Sequence, residues 1–382
     1  MKIRTDRNLR LLFASLLLWM LGVGLYEGLI PIFARQLGAS AVQLGSLYTV
    51  RSLGLAVGFL IGWAVADRFS RRTLMRASWM LGLPVPLMLA AAPGDLWLLP
   101  GLLLYELTFF ALPVIQSYVT ERVPPEELAG AFSVMGTMTS IGFLVSPAAG
   151  GVIAEYAGIR VVLVVAFALF VLSTVLIVRV EHGGPGAMPS GASRMPSIGD
   201  LRVLAPALMV YAWVQTVILV VVPFLSPFLR EARGVSLAEI GALNSMMAVG
   251  AVILTPLAGR LADRVGLAPA LAGQLGVFAL GALATVYGPT ALLPVAATLR
   301  CRAPLHALSQ AMIGARTPSE ILGRAFSLAG MLSALLAAAG SFAGGYAYRA
   351  NPAYPLLISS GAAVGLTLVL LWRRTAATSR VT

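Results

Sequence analysis

The chain has 382 residues, 59% of them hydrophobic and 11% charged, with a mean hydropathy of +0.89. A soluble domain averages about 45–50% apolar and about 25% charged residues, so the composition argues against a disordered chain and against a soluble enzyme. The single Cys301 rules out a disulfide framework, and two histidines, His182 and His306, leave little room for a zinc site or a histidine-based triad. The net charge of +12 follows from basic loops on one side of a membrane, and nucleic acid is not an expected partner.

A membrane-spanning helix needs about 20 mostly apolar residues. That measure places twelve spans near 9–33, 41–65, 73–92, 96–119, 130–154, 159–179, 203–228, 237–258, 268–288, 290–313, 324–347 and 354–372. The first is too long in its apolar stretch for a signal peptide. The stretch 181–202 is the longest polar gap. Its Gly183-Gly184-Pro185-Gly186 run reads as a flexible cytoplasmic linker between an N-terminal bundle, 1–180, and a C-terminal bundle, 203–382. With both termini cytoplasmic, only Arg35, Arg160, Arg230, Arg233 and Arg349 fall outside, while Arg51, Arg300 and Arg302 fall within spans. The other 19 of the 27 basic residues are cytoplasmic, as the positive-inside rule requires.

The halves repeat one another. Gly38, Ser40, Gln43, Gly45 and Asp67-Arg68 recur 196 residues later as Gly234, Ser236, Glu239, Gly241 and Asp263-Arg264. Further on the offset is 194: Arg122 matches Arg316, Phe132-Ser133 matches Phe326-Ser327, and Gly150-Gly151 matches Gly344-Gly345. Ser40/Gln43 and Ser236/Glu239 are capping boxes placed where spans should begin. The pattern predicts an all-α membrane protein of twelve helices in two pseudo-symmetric six-helix bundles, a parallel repeat about the membrane normal.

The loop after the second span reads Gly62-Trp63-Ala64-Val65-Ala66-Asp67-Arg68-Phe69-Ser70-Arg71-Arg72, and its counterpart Gly259-Arg260-Leu261-Ala262-Asp263-Arg264-Val265-Gly266. Both resemble the signature loop of the major facilitator superfamily (MFS), G-x-x-x-D-R-x-G-R-R, with Trp63 and Ser70 departing from it. The resemblance implies a gate in which Asp67 and Asp263 face helix N-termini. Arg122 and Arg316 are their same-half partners, and Arg68, Arg71, Arg72 and Arg264 complete the motif. The plainer role of these charges is topology alone. In the fifth span, Gly142, Ser146, Pro147, Gly150 and Gly151 resemble the antiporter motif G-x-x-x-G-P-x-x-G-G, with Ser146 replacing a glycine. Small residues there let helices approach closely, and Pro147 bends the span. The fourth span carries Glu106 where the drug-exporting branch has an arginine.

Ionisable groups inside a membrane face a cavity or a partner. Here they are Glu27 in the first span, Arg51 in the second, Glu106 in the fourth, and Arg300, Arg302 and His306 in the tenth. The resemblance makes the first, fourth, seventh and tenth spans line a central cavity. Glu106 and Arg300 are repeat equivalents, and with Arg51 lie about 16 Å down at about 1.5 Å per residue. Arg302, His306 and Gln310 share one helical face, and Arg300 points elsewhere. Arg51 and Glu106 could simply pair. Burial raises a carboxyl pKa and an adjacent arginine lowers it. Glu27, with no base in its own helix, is therefore the preferred proton carrier. Tyr26, Tyr105, Phe109, Phe110, Tyr211 and Trp213 suit an amphipathic organic molecule.

These residues predict a secondary active transporter working by alternating access, with proton-coupled export of a small organic, drug-like molecule preferred over uptake or exchange of an organic anion. It is expected as a monomer, multi-pass in the cell membrane, with substrate, protons and lipid as partners and no cofactor or metal. There is no H-E-x-x-H, G-x-S-x-G or phosphate-binding loop in the sequence, so a membrane-embedded enzyme is the weaker reading. A lipid-translocating protein would have a similar sequence.

Overall fold

Asp6 starts the first helix. Its carboxylate accepts from the N–H groups of Asn8 (2.8 Å) and Leu9 (3.2 Å), an N-cap, and α1 runs Arg7–Tyr26. Pro31 has no N–H to offer the Glu27 carbonyl, so α1 stops and α2 (Ile30–Gln36) resumes after a turn. The computed structural model describes residues 6–65, 68–181, 198–317 and 321–378. The second span is α3 (Ala41–Val65). The third is α4 (Arg71–Gly82) and α5 (Val85–Ala90), parted at Pro84. In the fourth, α6 (Leu98–Leu107) and α7 (Ala111–Arg122) flank a 3-10 turn at Thr108–Phe110. Next come α8 (Leu128–Ala157), which is helical through Pro147, and α9 (Ile159–Val178).

The second half begins with α10 (Ile198–Leu219), which starts inside the stretch expected to be linker; residues 182–197 of that stretch lie outside the described residues. The short α11 (Leu225–Pro227) runs into a π turn at Phe228–Ala232. Then follow α12 (Leu237–Val265), α13 (Leu267–Tyr287), α14 (Leu293–Leu299), α15 (Ala303–Gly314), α16 (Leu322–Ala350) and α17 (Tyr354–Thr378). Gly234, at φ +65°, makes the tight turn before α12. The capping box follows: the Ser236 N–H and Oγ donate to the Glu239 carboxylate (2.9 and 2.8 Å), and the Glu239 N–H returns to Ser236 Oγ (3.2 Å).

Eleven segments of the described residues are long and apolar enough to cross a membrane. The expected span 290–313 is present as α14 and α15, pieces of 7 and 12 residues that part at Arg300–Arg302. Pro304, at the start of α15, cannot donate to the Arg300 carbonyl, and its ring disfavours a continuous helix there.

The chain divides into two compact units. One holds residues 1–40, 50–190 and 235–245; the other holds 41–49, 191–234 and 246–382. The starts of α3 and α12 each group with the opposite half of the sequence.

In the first unit, α1 packs along α8 and α9. Gly142, Ser146 and Gly150 form one face of α8 at i, i+4, i+8. A Cβ on Gly150 would lie 2.7 Å from the Leu25 carbonyl carbon, and one on Gly142 would lie 2.7 Å from Met20 Cβ. Trp19 of α1 stacks on Phe170 of α9 at 3.8 Å, and the buried hydroxyls of Ser15 and Ser173 join at 2.9 Å. The adjacent Gly151 serves another contact: its Cβ would fall 2.8 Å from Gly241 Cα at the start of α12. There Ser245 Oγ accepts from the Ala148 N–H (3.1 Å) and Glu155 accepts from the Leu237 N–H (2.6 Å).

In the second unit, α13 lies along α17, and α10 packs against α15, α16 and α17. The core gathers Val214, Leu271, Leu275, Leu305 and Ala363. The repeat-equivalent glycine crossing appears here: a Cβ on Gly45 of α3 would lie 3.1 Å from Gly345 Cα of α16, and Thr49 donates to the Ala338 carbonyl at 2.9 Å.

Gly150→Val is expected to force α1 and α8 apart and destabilise the protein by about 1–3 kcal/mol, the usual range for overpacking. Gly273→Ala, where a Cβ meets nothing within 4 Å, should change little. Thermal unfolding of the two purified variants checks the contrast; equal unfolding temperatures would refute it.

Candidate functional site

The site in the first unit grows from a close helix contact. Arg51, Gly54 and Gly58 follow i, i+3, i+7 along α3 and share a face. A Cβ on Gly58 would sit 2.6 Å from the Glu106 carbonyl oxygen, and one on Gly54 would sit 2.8 Å from Leu103. The missing side chains let α6 lie against α3, within reach of the Arg51 guanidinium. Arg51 Nε donates to Glu106 Oε1, and Nη1 of the same guanidinium pairs with Glu27 Oε1 at 2.7 Å.

Local chemistry positions each acid. Glu27 caps α1 in the turn before Pro31. Glu106 lies in the last turn of α6, just before the 3-10 turn. That turn is held by Thr108 Oγ1 donating to the Tyr105 carbonyl (2.6 Å) and Ser78 Oγ donating to the Thr108 carbonyl (2.9 Å). Tyr26 and Tyr105, both buried, flank the acids in sequence, and Phe109 meets Tyr105 edge-on at 5.7 Å.

One guanidinium thus serves two carboxylates. With both acids ionised the cluster carries one net negative charge in a largely water-free place, which burial disfavours. A proton or a cationic group is what such a cluster accepts. The side chain of Glu106 is 5% exposed and that of Glu27 is 29% exposed, so Glu27 is the carboxylate water can reach. Sequence reasoning saw Glu27 as lacking a base in its own helix and Arg51 as a partner for Glu106. The fold gives Arg51 to both, because the α1–α2 turn and α6 converge on one face of α3.

In the second unit the tenth-span residues separate. Arg302 and His306 are exposed, on one face of α15, while Arg300 is 4% exposed. The His306 ring lies 6.0 Å from that of Tyr211. The Gln215 amide donates to the Tyr211 hydroxyl and to Ser333 Oγ, both at 2.7 Å. Gln215 and Ser333 escaped sequence reasoning because a neutral polar residue in an apolar run gives no charge signal. Of the other aromatics, Phe110 is buried and Trp213 is 40% exposed, its Nε1 spent on the Ala362 carbonyl at 2.9 Å.

Asp67 lies outside the described residues, and so does its expected pairing with Arg122. Arg122, expected as its partner, pairs with Asp6 at 3.2 Å and lies 4.8 Å above the Tyr118 ring; the Asp6 cap and the end of α7 meet there. Arg71 pairs with Glu121, Nε to Oε1 at 2.6 Å. Arg316 does not pair with Asp263. Its Nη1 donates to the Met312 carbonyl one turn back, at 3.3 Å; Arg316 and Asp263 are both exposed, where an isolated ion pair contributes about 0–1 kcal/mol. Arg68 and Arg264 are also exposed.

Replacing Arg51 by Met should cost about 3–5 kcal/mol, because it strands a buried carboxylate. Arg51→Met with Glu106→Met should recover much of that loss, since an apolar pair can substitute for a buried ion pair. A double-mutant cycle of unfolding free energies measures this; a double variant no more stable than Arg51→Met would contradict it.

Comparison with known proteins bears on the family and the fold. The family model described as Major Facilitator Superfamily matches residues 12–220 and again 204–382. Among curated proteins, a multidrug resistance protein MdtG of Enterobacter lignolyticus is 27% identical over 283 residues, covering 69% of this chain and 66% of the relative. The MdtG of Klebsiella pneumoniae is 28% identical over 256 residues, covering 62% and 61%. The chain therefore spans about two thirds of the length of the curated relatives it matches. Among solved structures, a nucleoside transporter, NupG, is similar with a TM-score of 0.80 at 14% identity, covering 96% of this chain and 99% of that one. A peptide transporter, POT, gives 0.78 at 14% identity, covering 97% and 95%. At that identity the likeness is one of fold.

Proposed function

The chain belongs to the Major Facilitator Superfamily, and from that premise we propose that it is a secondary transporter exporting small amphipathic organic molecules in exchange for protons. The observation that carries the reading is the shared Arg51, 2.7 Å from Glu27 and bonded to Glu106. Two carboxylates on one base leave a single negative charge that either a proton or a cationic substrate can neutralise. Occupancy by one disfavours the other, and this competition is the physical basis of antiport. Similarity to proteins named for multidrug resistance supports export of drug-like compounds.

Glu27 is the group that loads and releases the proton, being the more accessible acid. Glu106 stays with Arg51 and fixes its orientation. Phe109, partly exposed and edge-on to Tyr105, supplies aromatic surface for an amphipathic substrate. Arg302 and His306, exposed on one face at the start of α15, form a separate polar group in the other unit. The cycle runs in a monomer in the cell membrane with both termini cytoplasmic, between an N-terminal bundle, 1–180, and a C-terminal bundle, 203–382. Asp67 and Asp263 latch the cytoplasmic side.

In proteoliposomes, a pH gradient should drive substrate movement by the unaltered protein. Glu27→Gln should abolish that drive while leaving substrate counterflow, which needs no net proton movement. Unchanged rate and pH dependence in Glu27→Gln would move the proton role to Glu106 or remove it.

A further inference from the structure

Arg300 stands apart from every use made of the charged residues so far. It caps α14 at the break in the tenth span, 4% exposed. Its Nε is buried without a hydrogen-bond partner, and no ion pair among the described residues includes it. A guanidinium cannot shed its proton within a protein, so its charge needs compensation from outside itself. The described carboxylates of this unit are elsewhere: Glu231 accepts from the Tyr348 hydroxyl at 3.0 Å, and Asp263 is exposed.

The surroundings add to the positive charge. Arg302, two residues on, is the N-cap of α15, and the Arg302 carbonyl takes the His306 N–H at 3.1 Å. The N-terminal end of α15, a 12-residue helix, carries a partial positive charge from its unpaired N–H groups. The break is also closely enclosed. On α13, a Cβ at Gly281 would lie 3.0 Å from Arg300 Cγ and 2.9 Å from the Ala296 carbonyl oxygen. On α12, a Cβ at Gly250 would lie 2.9 Å from Cys301 Cβ. Two helices without side chains at these points thus leave the arginine stem a tight path.

We propose that the α14–α15 break is a binding site for a small monovalent anion of halide size, held by the Arg300 guanidinium. One uncompensated positive charge calls for one negative charge, and the close packing of α12 and α13 at the break calls for a small one. The site does not depend on the Glu27–Arg51–Glu106 cluster, which lies in the other unit, and its failure would leave proton coupling untouched.

The test is thermal unfolding of the purified full chain in sodium chloride or bromide against sodium gluconate at equal ionic strength. Both halides should raise the unfolding temperature saturably. Arg300→Gln should abolish the rise or weaken halide affinity at least about ten-fold, the loss of one hydrogen bond to a charged group. Arg302→Gln should retain the rise. Gly281→Ala, which crowds the Arg300 stem, should weaken it. Equal unfolding temperatures in chloride and gluconate would overturn the proposal, as would an undiminished response in Arg300→Gln. A rise with acetate and none with either halide would overturn the halide assignment. Should Arg300→Gln fail to fold, bromide anomalous scattering from crystals of the unaltered protein decides: a peak in contact with Arg300 supports the site, and its absence there refutes it.

Discussion

Hydrocarbon offers no hydrogen-bond partner, and each backbone group left unpaired within it costs several kcal/mol. A helix can therefore stop inside a membrane only where the protein satisfies the freed groups or lines a polar space with them. The first span stops at Glu27, the fourth tightens at Thr108–Phe110, the seventh turns between α10 and α11, and the tenth opens at Arg300–Arg302. Under the repeat offsets, 27 matches 223 and 108–110 matches 302–304, so the interruptions recur at equivalent positions of the two halves. Discontinuous helices of this kind build the midplane sites of many transporters. The charged side chains stand at or beside three of these interruptions.

The two units settle their buried charge in opposite ways. In the first, one base is shared by two acids, so the surplus is negative and can be discharged by a proton. In the second, an arginine that cannot be discharged lies buried near another arginine. Glu106 and Arg300 are repeat equivalents, so one ancestral position has taken opposite signs in the two copies. The glycines around each charge differ accordingly. Gly54 and Gly58 bring a partner helix close enough for an ion pair, whereas Gly250 and Gly281 pack helices against a charge that finds no such pair.

Much of this fold could be read from the sequence, because a span is announced by some twenty apolar residues and needs no knowledge of its neighbours. The second span, 41–65, matches α3 at both ends. The tenth was harder, since mean hydropathy across 290–313 passes over a local break that Pro304 alone hints at. The acids and bases of the site were visible because charge in an apolar run is conspicuous. Their partners were not. That Arg51 reaches Glu27 as well as Glu106 depends on two side-chain-free positions on α3 and on the turn at Pro31. That Arg122 meets Asp6 depends on where α7 ends relative to the start of α1. Hydropathy and spacing carry no record of such three-dimensional approaches, and polar residues such as Gln215 are silent until packing gives them neighbours.

The starts of α3 and α12 have a consequence for how the polypeptide can be divided. Residues 41–49 complete the unit otherwise built from the second half, and residues 235–245 complete the one built from the first. Each half of the sequence lends a helix end to the other and borrows one in return. Fragments made separately would each lack a piece that Gly241 or Gly45 normally seats against its glycine counterpart. Stable structure should then emerge only when both fragments are synthesised together, so that assembly, although it occurs within a single chain, obeys the logic of an obligate heterodimer.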